Sequence, residues 1–262
     1  MPVAQSSRPV ALVTGASAGL GRVFAQHLAK GGHDLVLVAR DRERLSSLAL
    51  QLSADHGTTC EVMAVDLSLP AEVDRVVARI DAAPIDVLVN NAGFGTRGTL
   101  SRTSRAAQEA MLQVHVIASH RLAQAAVTGM VARDQGTIIN VASIASFVSS
   151  AGNVNYCATK TYLRVYAEAL AKEVEGTGVY VQALCPGFTH TEFHARGGMD
   201  KSKISSWLWL SAERVIDDSL RAMRRRGPVV VIPGLRYRLI AFALRHAPLG
   251  LLRGASRRYS RR

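Results

Sequence analysis

Thr14-Gly15-Ala16-Ser17-Ala18-Gly19-Leu20-Gly21 follows directly on the apolar run Val10–Thr14 and leads into a helical pattern from Arg22. Three glycines at one turn have a physical use. They let the chain reverse tightly between strand and helix, and they leave no Cβ between the backbone and a phosphate held by amides at the helix N-terminus. Glycines also make plain strand-to-helix turns. The place of this one, in the first strand–helix unit of the chain, is what points to a dinucleotide.

Outward from that turn, short β-branched runs alternate with longer helical patterns. The strand candidates are Val10–Thr14, Asp34–Ala39, Cys60–Val65, Asp86–Val89, Thr137–Val141, Val179–Leu184 and Val229–Ile232. Helices are expected over 19–30, 41–55, 70–81, 104–132, 154–175 and 212–225. Most of the strands are continuously apolar, as parallel strands covered on both faces must be. The pattern predicts an α/β fold: a Rossmann-type, doubly wound, seven-stranded parallel sheet with helices on both faces and ligands at the carboxyl ends of the strands. One domain is expected over 1–234, followed by a basic helix and tail over 235–262.

Composition agrees with a folded chain. It has 262 residues, 48% of them hydrophobic, enough to bury a core without staples and incompatible with disorder throughout. The net charge of +12 suggests a polyanion partner until it is located. Residues 1–218 hold 20 basic and 20 acidic side chains, whereas 219–262 hold twelve Arg and no acid. With no recognition module or aromatic platform, nucleic acid is not expected as a partner. The apolar helical stretch Leu235–Arg245 flanked by arginines reads either as a peripheral membrane contact or as a helix docked on a partner subunit with a solvated basic end. Cys60, Cys157 and Cys185 are odd in number and widely spaced, so neither a disulfide framework nor a metal site is expected. A cytoplasmic protein is expected, at most peripheral at a membrane.

About 20 residues after the glycine turn, where NAD-binding folds place an acid for the ribose 2′-hydroxyl, the chain reads Val38-Ala39-Arg40-Asp41-Arg42. Arg40 suits a 2′-phosphate and Ser17 can add a hydroxyl, which makes NADP(H) the expected cofactor; the competing reading is a solvated charge at the start of a helix. Asp66 is read as an acceptor for the adenine amino group or as a helix cap. Asn90-Asn91-Ala92-Gly93 ends the fourth strand with small residues that admit the cofactor.

Tyr156 and Lys160 lie four residues apart on one helical face, and Ser143 precedes Tyr156 by thirteen, at the end of the fifth strand. A fixed cation stabilises phenolate and so lowers the pKa of a tyrosine. Each residue alone reads as filler; at strand ends beside a dinucleotide turn, the three together are hard to explain as packing.

These motifs, T-G-x-x-x-G-x-G at 14–21, N-N-A-G at 90–93, Ser143, Y-x-x-x-K at 156–160 and Pro186-Gly187 followed by Thr191, resemble the short-chain dehydrogenase/reductase family, within it the ketoacyl and steroid-type reductases. The resemblance implies an oxidoreductase that passes hydride between a nicotinamide and a carbonyl or secondary alcohol. It implies Tyr156 as proton donor, Ser143 as the group orienting the carbonyl oxygen, and Lys160 on the nicotinamide ribose. Cofactor contacts then fall on Gly15, Ser17, Gly19, Leu20, Gly21, Arg40, Asp66, Leu67, Asn91, Ala92, Gly93, Tyr156, Lys160, Pro186, Gly187 and Thr191. A homodimer or tetramer is also implied. Phe188–Leu210 takes the position of the family's substrate loop, within 188–211, and its Phe193, Trp207, Leu208, Trp209 and Leu210 favour a lipophilic substrate, although the last four can equally pack under the next helix.

One position departs from the family. Where it has Val-Asn, with the Asn holding a relay water, this chain has Gln113-Val114-His115-Val116. His115 is read as holding that water or shuttling a proton, or as a core histidine in a chain whose relay is altered. The latter leaves open a non-catalytic or weakly active NADP(H)-binding protein.

Overall fold

The computed structural model describes residues 8–96, 98–193 and 204–246. Seven strands, β1 (Val10–Thr14), β2 (Asp34–Ala39), β3 (Cys60–Ala64), β4 (Val87–Asn90), β5 (Gly136–Val141), β6 (Val179–Leu184) and β7 (Val230–Val231), form one sheet in the order β3-β2-β1-β4-β5-β6-β7. Every pairing is parallel. The chain reverses its direction of travel between β1 and β4, and at such a switch point the carboxyl edge opens a crevice. Strand ends are level there: Thr14 pairs with Val38, Asn90 with Asn140, and Val141 with Leu184.

The helices are α1 (Gly19–Lys30), α2 (Arg42–His56), α3 (Pro70–Ala82), α4 (Arg105–Leu112), α5 (Ser119–Ala132), α6 (Val154–Glu173), α7 (Ala212–Arg224) and α8 (Leu235–His246). Side-chain alternation along each strand divides the core in two. Leu12, Val36 and Leu88 pack with Val73 of α3, Leu122 of α5 and Leu163 of α6. Ala11, Val13 and Leu35 face the other way, onto Phe24 of α1, Leu48 of α2 and Ile216 of α7. This is why the strands read as continuously apolar.

Apart from element ends displaced by one or two residues, three features differ from the sequence reading. The helix expected over 104–132 is interrupted by a π-helical stretch at Gln113–Ala118, which inserts one extra residue per turn and re-aims the side chains within it, His115 among them. The last strand is two residues long rather than four. Pro228 and Pro233 flank it, and a proline supplies no N–H to a ladder. The basic helix expected beyond residue 234 is rooted in the body: Tyr237 and Ala241 of α8 are 2% and 1% exposed, and Tyr237 belongs to the core that holds Phe24. No helix among the described residues is long and apolar enough to cross a membrane. The rest of the tail, 247–262, lies outside the described residues, as does 194–203 of the expected substrate loop.

Candidate functional site

The glycine turn is fastened to the next strand. Gly15 N–H and Ala16 N–H both donate to Val38 O, at 2.7 and 3.2 Å. Gly15 and Gly19 have φ of +68° and +55°, which a Cβ would strain. Gly21 serves packing within the turn, since a Cβ there would stand 2.2 Å from Gly15 O. Helix α1 is preceded by Ala18, which has no side chain able to cap it, and its first turn carries no acid. Among the described residues no side chain caps its first amides, the arrangement suited to an anion. Leu20 is half-buried in this turn. Thr191, from the far side of the crevice, stands against it: a Cβ on Gly19 would lie 3.4 Å from Thr191 Cβ.

Asn91, Ala92 and Gly93 have uses inside the protein beside the expected one. Thr14 Oγ1 accepts from Asn91 N and Ala92 N at 2.9 and 3.0 Å, and Asn91 Nδ2 donates to Thr14 O at 2.8 Å. These bonds tie the end of β4 to the glycine turn across the switch point.

Beyond β2, the Arg40 side chain is 75% exposed, with Nη1 3.8 Å from Asp66 Oδ2. A pair this long and wet contributes little to stability, so the guanidinium is held loosely near the crevice. Ser17 is half-buried in the facing turn. Asp66 does not cap α3. Its Oδ1 accepts from Ser68 N and Ser68 Oγ at 2.9 and 2.8 Å, and α3 is preceded by Leu69 with Pro70 in its first turn. The Leu67 side chain lies in the core. Arg44 was not read from the sequence. It sits in the first turn of α2 beside its capping Asp41, and it reaches Glu192 at 3.1 Å, across the crevice.

Ser143, Tyr156 and Lys160 meet beyond β5. Ser143 starts a short 3₁₀ turn (Ile144–Phe147), its Oγ accepting from Ala145 N at 3.1 Å. Tyr156, on the first turn of α6, has its pKa pushed up to about 12 by burial, an effect that a hydrogen bond with Ser143 opposes. Lys160 is 4% exposed, donates to Val141 O at 2.8 Å, and stands 5.9 Å from the Tyr156 ring centre. Burial lowers its pKa to about 8. Burial of the phenol is therefore the largest influence on Tyr156, and it runs against the lowering expected from the lysine.

His115 is fully buried, and burial followed by the nearby Lys160 charge holds its pKa well below 6.5. The neutral ring has one donor and one acceptor, and both are engaged. Nε2 accepts from Phe94 N at 3.0 Å; Nδ1 lies 2.9 Å from Thr159 Oγ1, whose proton goes to Tyr156 O at 3.1 Å. That pattern assigns the ring proton to Nδ1. Through these two bonds the imidazole serves as a buried crosslink. It bridges the Asn90–Gly93 loop to the helix of Tyr156.

The far wall starts at Pro186-Gly187, where Pro186 O accepts from Ile144 N at 2.9 Å. Phe193 places its ring 6.0 Å from that of Tyr156. Trp209 and Leu210 are buried, Trp209 stacking on His190 at 4.9 Å, whereas Trp207 is 56% exposed. Of the apolar run, then, Trp209 and Leu210 pack beneath rather than cover. Thr159 and Tyr237 also went unread in the sequence; for Tyr237 the available signal was its four-residue spacing from Ala241 on the apolar side of a basic helix.

The uncapped α1 N-terminus, the exposed cation beyond β2 and the buried lysine beside a tyrosine fit a dinucleotide lying along the crevice. Relatives point the same way. The family model for the short chain dehydrogenases matches residues 9–201. The very-long-chain 3-oxoacyl-CoA reductase of Pyrenophora tritici-repentis is 30% identical over 83% of this chain and 64% of that enzyme's length. A short-chain dehydrogenase from Sphingobium yanoikuyae, solved with NADPH, superposes with a TM-score of 0.84 at 34% identity, covering 94% of this chain and 95% of the other. The bulky-bulky ketone specific alcohol dehydrogenase of Comamonas testosteroni gives 0.81 at 29% identity, covering 95% of each chain. Fold, crevice and kinship agree that this chain belongs to the short-chain dehydrogenase family of nicotinamide-dependent oxidoreductases.

Proposed function

We propose that the protein is an NADP(H)-dependent reductase of lipophilic ketones, acting reversibly on the corresponding secondary alcohols. The observation that carries this reading is the convergence of Ser143, Tyr156 and Lys160 at the mouth of the crevice, with Lys160 Nζ 5.9 Å from the Tyr156 ring centre. A bound nicotinamide supplies or accepts the hydride. The protein's part is then to hold a carbonyl oxygen and provide its proton. A tyrosine with a pKa near 12 is fully protonated at neutral pH, so Tyr156 is poised as an acid toward oxygen as negative charge develops there. Ser143 donates to the same oxygen and fixes its direction. Lys160 would hold the ribose hydroxyls beside the tyrosine.

Support for NADP(H) over NAD(H) comes from Arg40 and from the NADPH bound by the Sphingobium enzyme. A lipophilic substrate is supported by Phe193 beside the tyrosine ring, and by the bulky ketones and very-long-chain acyl groups named for two relatives. For a homodimer or tetramer the support is the exposed, largely apolar groove of α6 lined by Ala158, Thr161, Tyr162, Val165, Tyr166 and Ala169. The test is NADPH oxidation with a panel of ketoacyl thioesters and steroid ketones. Turnover is expected, and Tyr156→Phe should remove it while leaving NADPH affinity within about twofold, since the phenol proton acts only in the transition state. Retention of most of the rate in that variant would overturn the assignment.

A further inference from the structure

Both ends of the expected substrate loop converge on one hydroxyl. Tyr237 Oη accepts from Phe188 N at 2.9 Å and donates to Leu208 O at 2.6 Å. The neck is closed further by Leu210 N donating to Phe188 O and His190 N to Leu210 O, at 2.8 and 2.9 Å. Arg236, the neighbour of Tyr237, adds a bond from Nη2 to Trp209 O at 2.8 Å. The tyrosine ring lies against Gly187 so closely that a Cβ there would stand 1.9 Å from Cζ. Only glycine at 187 lets α8 seat its tyrosine at this depth.

We propose that Tyr237 is a positioning residue that staples the neck of the substrate-covering segment and thereby sets where that segment meets substrate. The consequences run along the chain from Phe188. Three residues on, Thr191 abuts Gly19 of the glycine turn; two further on, Phe193 stands on the ring of Tyr156. A segment that touches both halves of the crevice within so few residues takes its direction from its root. A hydroxyl that accepts from one end and donates to the other is fully satisfied only when the two ends are together. Helix α8 is thereby part of the active-site architecture, and Tyr237 acts through the segment rather than on substrate.

The inference rests on the reading of 188–210 as the substrate loop, and the experiment separates the two. Tyr237→Phe in the full chain keeps the ring over Gly187 and deletes only the hydroxyl. Tyr180→Phe is the control, because Tyr180 Oη donates to Pro228 O and accepts from Gln182 Nε2, both at 3.2 Å and away from this neck. With the ketone of the panel that turns over fastest, Tyr237→Phe should raise KM about five- to tenfold, the worth of one lost hydrogen bond, with kcat and NADPH affinity within about twofold. Amide exchange at Phe188 should quicken by a similar factor, and Tyr180→Phe should leave both readouts unchanged. Unchanged exchange at Phe188 overturns the staple itself. Faster exchange with an unchanged KM overturns the positioning role and counts against the substrate-segment reading. An equal rise of KM in Tyr180→Phe reduces the effect to generic loss of a tyrosine hydroxyl and also overturns it.

Discussion

Gly93 and His115 are fitted to one another: a Cβ at position 93 would lie 2.7 Å from His115 Nε2, the same nitrogen that accepts from Phe94 N at 3.0 Å. The imidazole occupies the space the glycine leaves. Gly93→Ala should therefore destabilise the protein by about 1–3 kcal/mol through overpacking. Combined with His115→Asn, it should cost less than the sum of the two single changes by about 0.5 kcal/mol or more, since contacting residues couple. Denaturant unfolding of the four proteins measures the cycle; strict additivity would show that the ring yields freely.

His115 also makes a prediction about acid. Its pKa lies well below 6.5 in the folded protein. The unfolded chain therefore binds a proton below about pH 6.5 that the native state refuses, and stability declines as pH falls, by at most about 1.4 kcal/mol per pH unit. His33, also lowered by burial, contributes in the same direction. His115→Asn should make the loss between about pH 7 and pH 5 shallower by one proton's worth, in unfolding measured at both. The same variant should leave the shape of the pH–rate profile unchanged, because a ring that stays neutral does not titrate in the working range.

Arg40 is exposed and only loosely paired with Asp66. Replacing it with Ala should weaken NADPH binding about 10- to 100-fold, the usual worth of a charge-assisted bond to phosphate, and leave NADH binding nearly unchanged. Titration of both nucleotides by fluorescence checks this. Equal loss for the two would deny Arg40 a role in choosing between them.

Lys160, with its pKa lowered to about 8, predicts a pH limit on cofactor binding. If bound dinucleotide favours the ammonium, binding above that pH takes up a proton. NADPH affinity should then fall as pH rises past about 8, by at most about tenfold per unit. Calorimetry in buffers of different ionisation enthalpy would register the proton. Lys160→Met should bind more weakly at neutral pH and lose this dependence.

Much of the fold was legible because its devices are local. Val10–Thr14 followed by three glycines, the continuously apolar strands and the regular helical spacing specify a parallel sheet without reference to distant residues. The candidate site was partly legible for the same reason: Ser143, Tyr156 and Lys160 stand at strand ends or one helical turn apart, spacings that backbone geometry converts directly into proximity. By itself, then, the sequence determined the family, the crevice and the residues at its mouth.

What it left open depended on contacts between segments far apart in the chain. The partners of His115 were not legible: a π-helical stretch sets it between Phe94 N and Thr159, with both nitrogens engaged. The neighbouring lysine predicts a lowered pKa for Tyr156, whereas burial of the phenol, which exists only in the fold, pushes it up. Tyr237 read as part of a basic tail until its hydroxyl joined Phe188 and Leu208, residues 49 and 29 positions away. Hydrogen-bond partners, desolvation and close packing are properties of the space around a side chain, and that space exists only once the chain has folded.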